Sequence, residues 1–130
     1  MANPSTTEQI TEDLLDAVTD AFNRRDLNTV MDHFADDAIF DHGAGPDVFG
    51  KRFSGKAAIR AVFKSLFDNV ESISWTTLDA RVNGNKAYCE YHRIARMKSG
   101  EVQDFHSIDV LTYRNSLIVH KDTYYKHRTN

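Results

Sequence analysis

The sequence predicts an α+β domain in which three N-terminal helices pack on one face of a curved antiparallel sheet. Three observations carry this. Three stretches of the first half repeat apolar residues at helical spacing; after Asn69 the period falls to about two and stays there; and the later segments are separated by the turn pairs Asn83-Gly84, Ser99-Gly100 and Asn115-Ser116. At 130 residues the chain is the length of one domain, residues 1–130, and is large enough to bury a core without covalent staples.

Ser5-Thr6-Thr7-Glu8 has the form of a capping box, and Ile10, Leu14, Ala17, Val18, Ala21 and Phe22 follow on one face, so a first helix is expected from about Thr6 to Arg24. Asp26 can cap a second, shorter helix carrying Leu27, Val30, Met31 and Phe34, which stops near Ala35-Asp36-Asp37. Ala38 to Asp41 reads as a brief strand, and His42-Gly43-Ala44-Gly45-Pro46 as a loop. Ser54 is positioned to cap a third helix with the stripe Ile59, Val62, Phe63, Leu66 and Phe67. Ile73 to Val82, Lys86 to Met97, Val102 to Tyr113 and Leu117 to Lys126 are then four strands in a meander.

Composition narrows the partners. A net charge of −3 with scattered Lys and Arg argues against nucleic acid or an anionic membrane surface. The start lacks a signal-peptide pattern, no apolar run is long enough to span a bilayer, and the single cysteine, Cys89, fits a reducing compartment, so a cytoplasmic address is expected.

Asp109 stands out because it lies between Ile108 and Val110, and an aspartate in an apolar strand calls for either a pocket or a half-exposed sheet with a basic partner. A simple hairpin at Ser99-Gly100 would place Glu90 opposite Asp109 and His92 opposite Ser107, gathering Tyr88, Glu90, His92 and Asp109 on one face with an acid pair of perturbed ionisation. Both faces of that hairpin mix apolar and polar groups, so alternation leaves open which one is inner. Asp41-His42 ends a strand beside a glycine loop, where a neutral histidine can take a proton; neighbours along a strand point to opposite faces and need not act together. The remaining histidines show no metal-ligand spacing, and no glycine-rich phosphate fingerprint is present, so neither a metal nor a cofactor is expected.

The segments Ala21 to Asp41 (AFNRRDLNTVMDHFADDAIFD), Phe53 to Phe63 (FSGKAAIRAVF), Glu90 to Arg93 (EYHR), Ser107 to Leu111 (SIDVL) and Lys121 to Lys126 (KDTYYK) resemble, in that order, the nuclear transport factor 2-like superfamily and its SnoaL-like group of polyketide cyclases and ketosteroid isomerases. The resemblance covers nearly the whole chain and implies a cone with a central pocket between helices and sheet. It also implies that Asp109 stands where the isomerases keep an oxyanion-binding carboxyl, that His42 replaces their aspartate base, and that Val18 replaces their tyrosine. The two replacements argue against steroid isomerisation by that mechanism. Tyr125 matches a position at the pocket mouth, and members commonly pair through the outer sheet face, so a homodimer is implied.

The expected function is a cofactor-independent enzyme acting by acid/base proton transfer on a small, mostly apolar, carbonyl- or hydroxyl-bearing molecule, of isomerase, cyclase or dehydratase type. His42 and Asp109 are the expected catalytic residues, with Asp41, Tyr88, Glu90, His92 and Tyr125 around the substrate. A non-catalytic ligand-binding or protein-interaction module of the same fold is the alternative.

Overall fold

The computed structural model describes residues 10–129. Its elements run α1 (Glu12–Asn23), α2 (Leu27–Asp32), β1 (Phe34–Asp47), β2 (Gly50–Ser54), α3 (Lys56–Asn69), β3 (Val70–Asn83), β4 (Lys86–Met97), β5 (Val102–Arg114) and β6 (Leu117–Tyr125). The Ser5-to-Glu8 capping box lies outside the described residues. Within them, Thr11 caps α1 by accepting the Leu14 amide, so the helix begins at Glu12 rather than continuing through Ile10.

Helix α1 buries Leu15, Val18, Ala21 and Phe22, helix α2 buries Val30 and Met31, and α3 buries Ile59 and Phe63. Asp26 caps α2 as expected, its carboxylate accepting the Thr29 amide at 3.2 Å. Helix α3 has Gly55 at its N-cap with no side-chain cap, because Ser54 closes the preceding strand instead.

All six strands form one sheet in the order β2-β1-β6-β5-β4-β3. The predicted meander is present as β3 to β6, with turns at the expected places; Asn115 and Ser116 both take positive φ, the backbone of a two-residue hairpin turn. Further expectations fail in the first half. Helix α2 ends at Asp32, so Phe34 to Asp37 open β1 instead of finishing that helix. The sheet is mixed, because β1 pairs β6 in parallel, and the supposed glycine loop is strand: β1 runs on through His42 to Asp47 and folds back on β2. Past Asp41 this stretch has β2 as its sole ladder partner, and on such a one-sided strand Gly and Pro cost little, so backbone pairing overrides their local tendency to break structure.

The β4–β5 register also differs from the simple hairpin. The loop is Lys98-Ser99-Gly100, with Gly100 at φ +95° and the Met97 amide bonded to the Glu101 carbonyl at 2.9 Å. A three-residue loop closed by a left-handed glycine moves each partner by one. Cys89, not Glu90, therefore opposes Asp109, and His106, not Ser107, opposes His92. The core lies between the helices and the sheet face carrying Phe34, Phe40, Ala87, Cys89, Tyr91, Leu111, Tyr113 and Ile118. No helix of the described residues is long and apolar enough to cross a membrane.

Candidate functional site

Asp109 is held on the inner face of β5 between Cys89 of β4 and Thr123 of β6. Its Oδ1 accepts a hydrogen bond from Lys121 Nζ at 3.1 Å and another from Thr123 Oγ1 at 2.7 Å. Lys121 Nζ also donates to Thr123 Oγ1 at 2.7 Å, which closes a three-membered network. Both charged residues are buried, each 8% exposed, so the two charges neutralise one another where water cannot. The ammonium lies 4.8 Å from the Phe40 ring centroid and 5.9 Å from that of Phe22, so aromatic faces supply the rest of its solvation. Asp109 thus faces inward and has a lysine partner at the same time.

This pair lines a cavity of about 730 Å³ between the helices and the sheet. Part of the wall is a run of aromatic rings, most of them meeting edge to face, interrupted by one guanidinium. Ring centroids are 6.3 Å apart from His42 to Tyr125 and 4.8 Å from Tyr125 to Phe105. The guanidinium carbon of Arg93 is 5.1 Å from the Phe105 ring and 5.7 Å from Trp75. The run continues through Trp75–Phe22 at 5.4 Å, Phe22–Phe63 at 5.1 Å, Phe63–Phe40 at 5.2 Å and Phe40–His42 at 5.9 Å. These rings give part of the lining a surface for a flat molecule, while Glu101, Gln103, Asp104, Lys126 and Arg128 make another part of it polar.

His42 is half-buried on this wall. Its Nδ1 sits 3.0 Å from the Ala44 amide nitrogen and 3.1 Å from the Ala44 carbonyl oxygen, accepting from the first in one tautomer or donating to the second in the other. Among the described residues Nε2 has no hydrogen-bond partner. Gly43 makes the arrangement possible: a Cβ there would lie 2.6 Å from the Tyr125 ring and 2.9 Å from the Thr123 carbonyl, so only glycine lets that ring lie against β1.

Behind the ion pair, a void of about 30 Å³ touches Val18, Tyr91, Asp109 and Lys121. The Tyr91 hydroxyl bonds Thr19 Oγ1 at 3.0 Å, and burial together with the Asp109 charge pushes its pKa up, so the phenol stays protonated. Burial likewise pushes the Cys89 thiol up to about 11, which makes it a packing group rather than a nucleophile.

Of the residues expected at the site, His42, Asp109 and Tyr125 line the cavity. Tyr88, Glu90 and His92 do not: the one-residue shift in the hairpin puts them on the outer face, where Glu90 is exposed and His92 Nε2 lies 2.6 Å from Asp104 Oδ1. The expected acid pair of Glu90 with Asp109 is therefore absent. Asp41 also faces away from the cavity, 1% exposed, with its carboxylate taken by Arg52 Nε at 2.8 Å, Arg52 Nη2 at 2.9 Å and His120 Nε2 at 2.8 Å. Asp41, His120 and Asp122 converge closely enough to suggest a metal group, but Arg52 already neutralises Asp41 and Tyr124 donates to Asp122 at 3.1 Å. The polar residues of the cavity that the sequence did not single out are Lys121, Thr123 and Arg93. Lys121, Thr123 and Tyr125 stand at alternate positions of one strand, and that period alone puts them on one face.

A family model described as SnoaL-like domain matches residues 15–121. No curated protein matches the sequence. Among solved structures, a protein with a ketosteroid isomerase-like fold from Catenulispora acidiphila, crystallised with trimethylamine, is 19% identical with a TM-score of 0.76, covering 90% of this chain and 88% of that one. A candidate polyketide cyclase from Xanthomonas campestris is 20% identical with a TM-score of 0.74, covering 95% of this chain and 93% of the other. TerC, co-crystallised with polyporic acid, is 13% identical with a TM-score of 0.73, covering 88% and 89%. At these identities the likeness is one of fold.

Proposed function

The chain belongs to the SnoaL-like family, and from that premise we propose that it is a cofactor-independent enzyme moving a proton on a small, flat, mostly apolar carbonyl compound. The observation that carries this reading is a buried lysine–aspartate pair and a histidine with an uncommitted nitrogen on the wall of one aromatic cavity. His42 Nε2 takes the proton from the carbon beside the carbonyl. The oxygen that gains charge is met by Lys121: an ammonium has three hydrogens, and those directed at Asp109 and Thr123 leave one without an acceptor among the described residues. Asp109 spends Oδ1 on Lys121 and Thr123, so its part is to hold the ammonium in place rather than to donate to the substrate. Tyr125, stacked on Phe105, offers the ring system an aromatic surface to lie against, and the ligand-bound relatives with trimethylamine and polyporic acid support a cavity of this fold that takes small molecules.

The test is proton exchange. In D2O, the wild-type protein should place deuterium beside the carbonyl of cyclic aryl ketones, followed by NMR, and His42→Ala should lower that rate by about 10²-fold or more while leaving ligand binding intact. Binding without exchange by the wild type would replace the enzyme with the non-catalytic binding module.

Pairing of two copies through the outer sheet face belongs to the same proposal. Tyr88 opposes Val110 and Ile108 opposes Tyr124 on that face, and Tyr124 is 56% exposed, which gives a continuous apolar strip. Ile108→Glu should convert a dimer to a monomer in sedimentation, and a wild-type monomer would overturn the pairing. The buried, unpaired Cys89 supports a reducing cytoplasmic setting, which cell fractionation tests.

A further inference from the structure

Arg93 is anomalous among the cavity residues. The guanidinium is half-buried and lies between two cross-strand neighbours, Trp75 on β3 and Phe105 on β5, which are its Cα partners in the sheet. It donates from Nη1 to the neutral Gln103 side chain at 3.0 Å. No carboxylate comes within salt-bridge distance of it among the described residues, whereas Lys121 in the same cavity has Asp109 at 3.1 Å and Arg52 outside it has Asp41 at 2.8 Å. Burial works against its charge, and the nearest opposing influences are Tyr125 and Asp109, neither of which hydrogen-bonds it.

A guanidinium that has given up part of its water and met no protein anion keeps most of its five donors in a rigid, planar fork. The guanidinium carbon lies 5.1 Å from the Phe105 ring centroid and 5.7 Å from that of Trp75, so aromatic rings flank a cation whose one hydrogen bond among the described residues goes to Gln103. Because Phe105 also stacks on Tyr125, a flat ligand lying on the Tyr125 side of the cavity would bring its own edge to that fork. Asp109, the cavity carboxylate that acts on this charge, lies beyond salt-bridge distance of it and bonds Lys121 and Thr123 through Oδ1.

We propose that Arg93 is the anion-binding subsite of the cavity and that the ligand is a planar aromatic molecule carrying a carboxylate. This rests on the reading of the cavity as a small-molecule site, and it adds the ligand's charge and the residue that selects it. The carboxylate would take the fork side on, accepting two parallel N–H bonds, while the ring system covers the aromatic wall and its carbonyl reaches Lys121.

The test compares 2-naphthoate with 2-naphthamide, which has the same shape and no charge, by calorimetric titration of the full chain. The wild type should bind the carboxylate about tenfold or more tightly than the amide, the difference expected of a charge-assisted bidentate contact. In Arg93→Met the carboxylate should lose that advantage while the amide keeps its affinity, and Arg93→Lys, which restores charge without the fork, should fall between. Equal wild-type binding of the two compounds would overturn the role of Arg93 and leave the cavity reading standing; binding of neither would overturn both. If Arg93→Met fails to fold, Arg93→Lys carries the assignment, because Lys121 in the same cavity also favours a carboxylate and the wild-type ratio alone does not separate the two cations.

Discussion

Lys121→Met is expected to destabilise the protein by about 3 kcal/mol, read as a lower urea midpoint with an unchanged slope, because removing one partner of a buried ion pair leaves the other charge without compensation. The side chains of Lys121 and Asp109 retain only 10% and 12% of their exposure, and Thr123 offers Asp109 one hydroxyl in place of a full counter-charge. Adding Asp109→Leu to the same chain should recover most of the loss, since two apolar side chains of similar volume suit a site already lined by Phe22 and Phe40. The double-mutant cycle is the measurement: a coupling energy below about 1 kcal/mol would mean that the two residues do not act as a unit. The same double variant, if it folds, should lose the proton-exchange activity altogether. Recovery of stability together with loss of exchange in that variant would mean that the pair is kept for use rather than for architecture.

The sequence announced the parts of this fold whose signals are local. Helical stripes and hairpin turns depend on residues a few positions apart; they mark the three helices of the described residues, with ends that differ by several residues, and the meander β3 to β6. The parts that escaped depend on distant partners. His42-Gly43-Ala44-Gly45-Pro46 reads as a loop until β2 pairs with it, and the parallel pairing of β1 with β6 joins segments separated by most of the chain. At the site, Asp109 is conspicuous because an acid among aliphatics is rare, and resemblance to a family gave it a direction to face. Lys121 is invisible by the same test, since a lysine in a strand with polar neighbours such as His120 and Asp122 is ordinary until its cross-strand partners are known. The displacement of Tyr88, Glu90 and His92 to the outer face follows from one extra loop residue, an error of one position that alternation turns into the wrong side of the sheet.

Asp41→Asn should remove a distinct share of the protein's stability, and do so in a pH-dependent way. Asp41 lies on the outer face of β1, with Arg52 of β2 and Asp122 of β6 as its Cα partners, so its bonds tie the edge strand to the body of the sheet. The two hydrogen bonds from Arg52 hold its carboxyl below the usual range, burial opposes them, and His120 adds to the lowering. A carboxyl whose pKa is lower in the folded state contributes stability that is fully present above its unfolded value, near pH 4, and is lost as the pH falls through the lower folded value. The asparagine variant should therefore be less stable at neutral pH by about 2 kcal/mol, a figure held down because Arg52, with 41% of its side chain exposed, can return to water. As the pH falls below about 4 the gap between wild type and variant should narrow, because the unfolded wild-type chain takes up a proton on Asp41 before the folded protein does. Urea titrations of both proteins at neutral and acid pH decide the point, and a gap that stays constant on acidification would locate the loss in packing instead. The consequence reaches the cavity: Asp41 precedes His42, and β2 reaches that histidine's backbone through Lys51, so loosening this corner should weaken ligand binding without removing any group that touches the ligand.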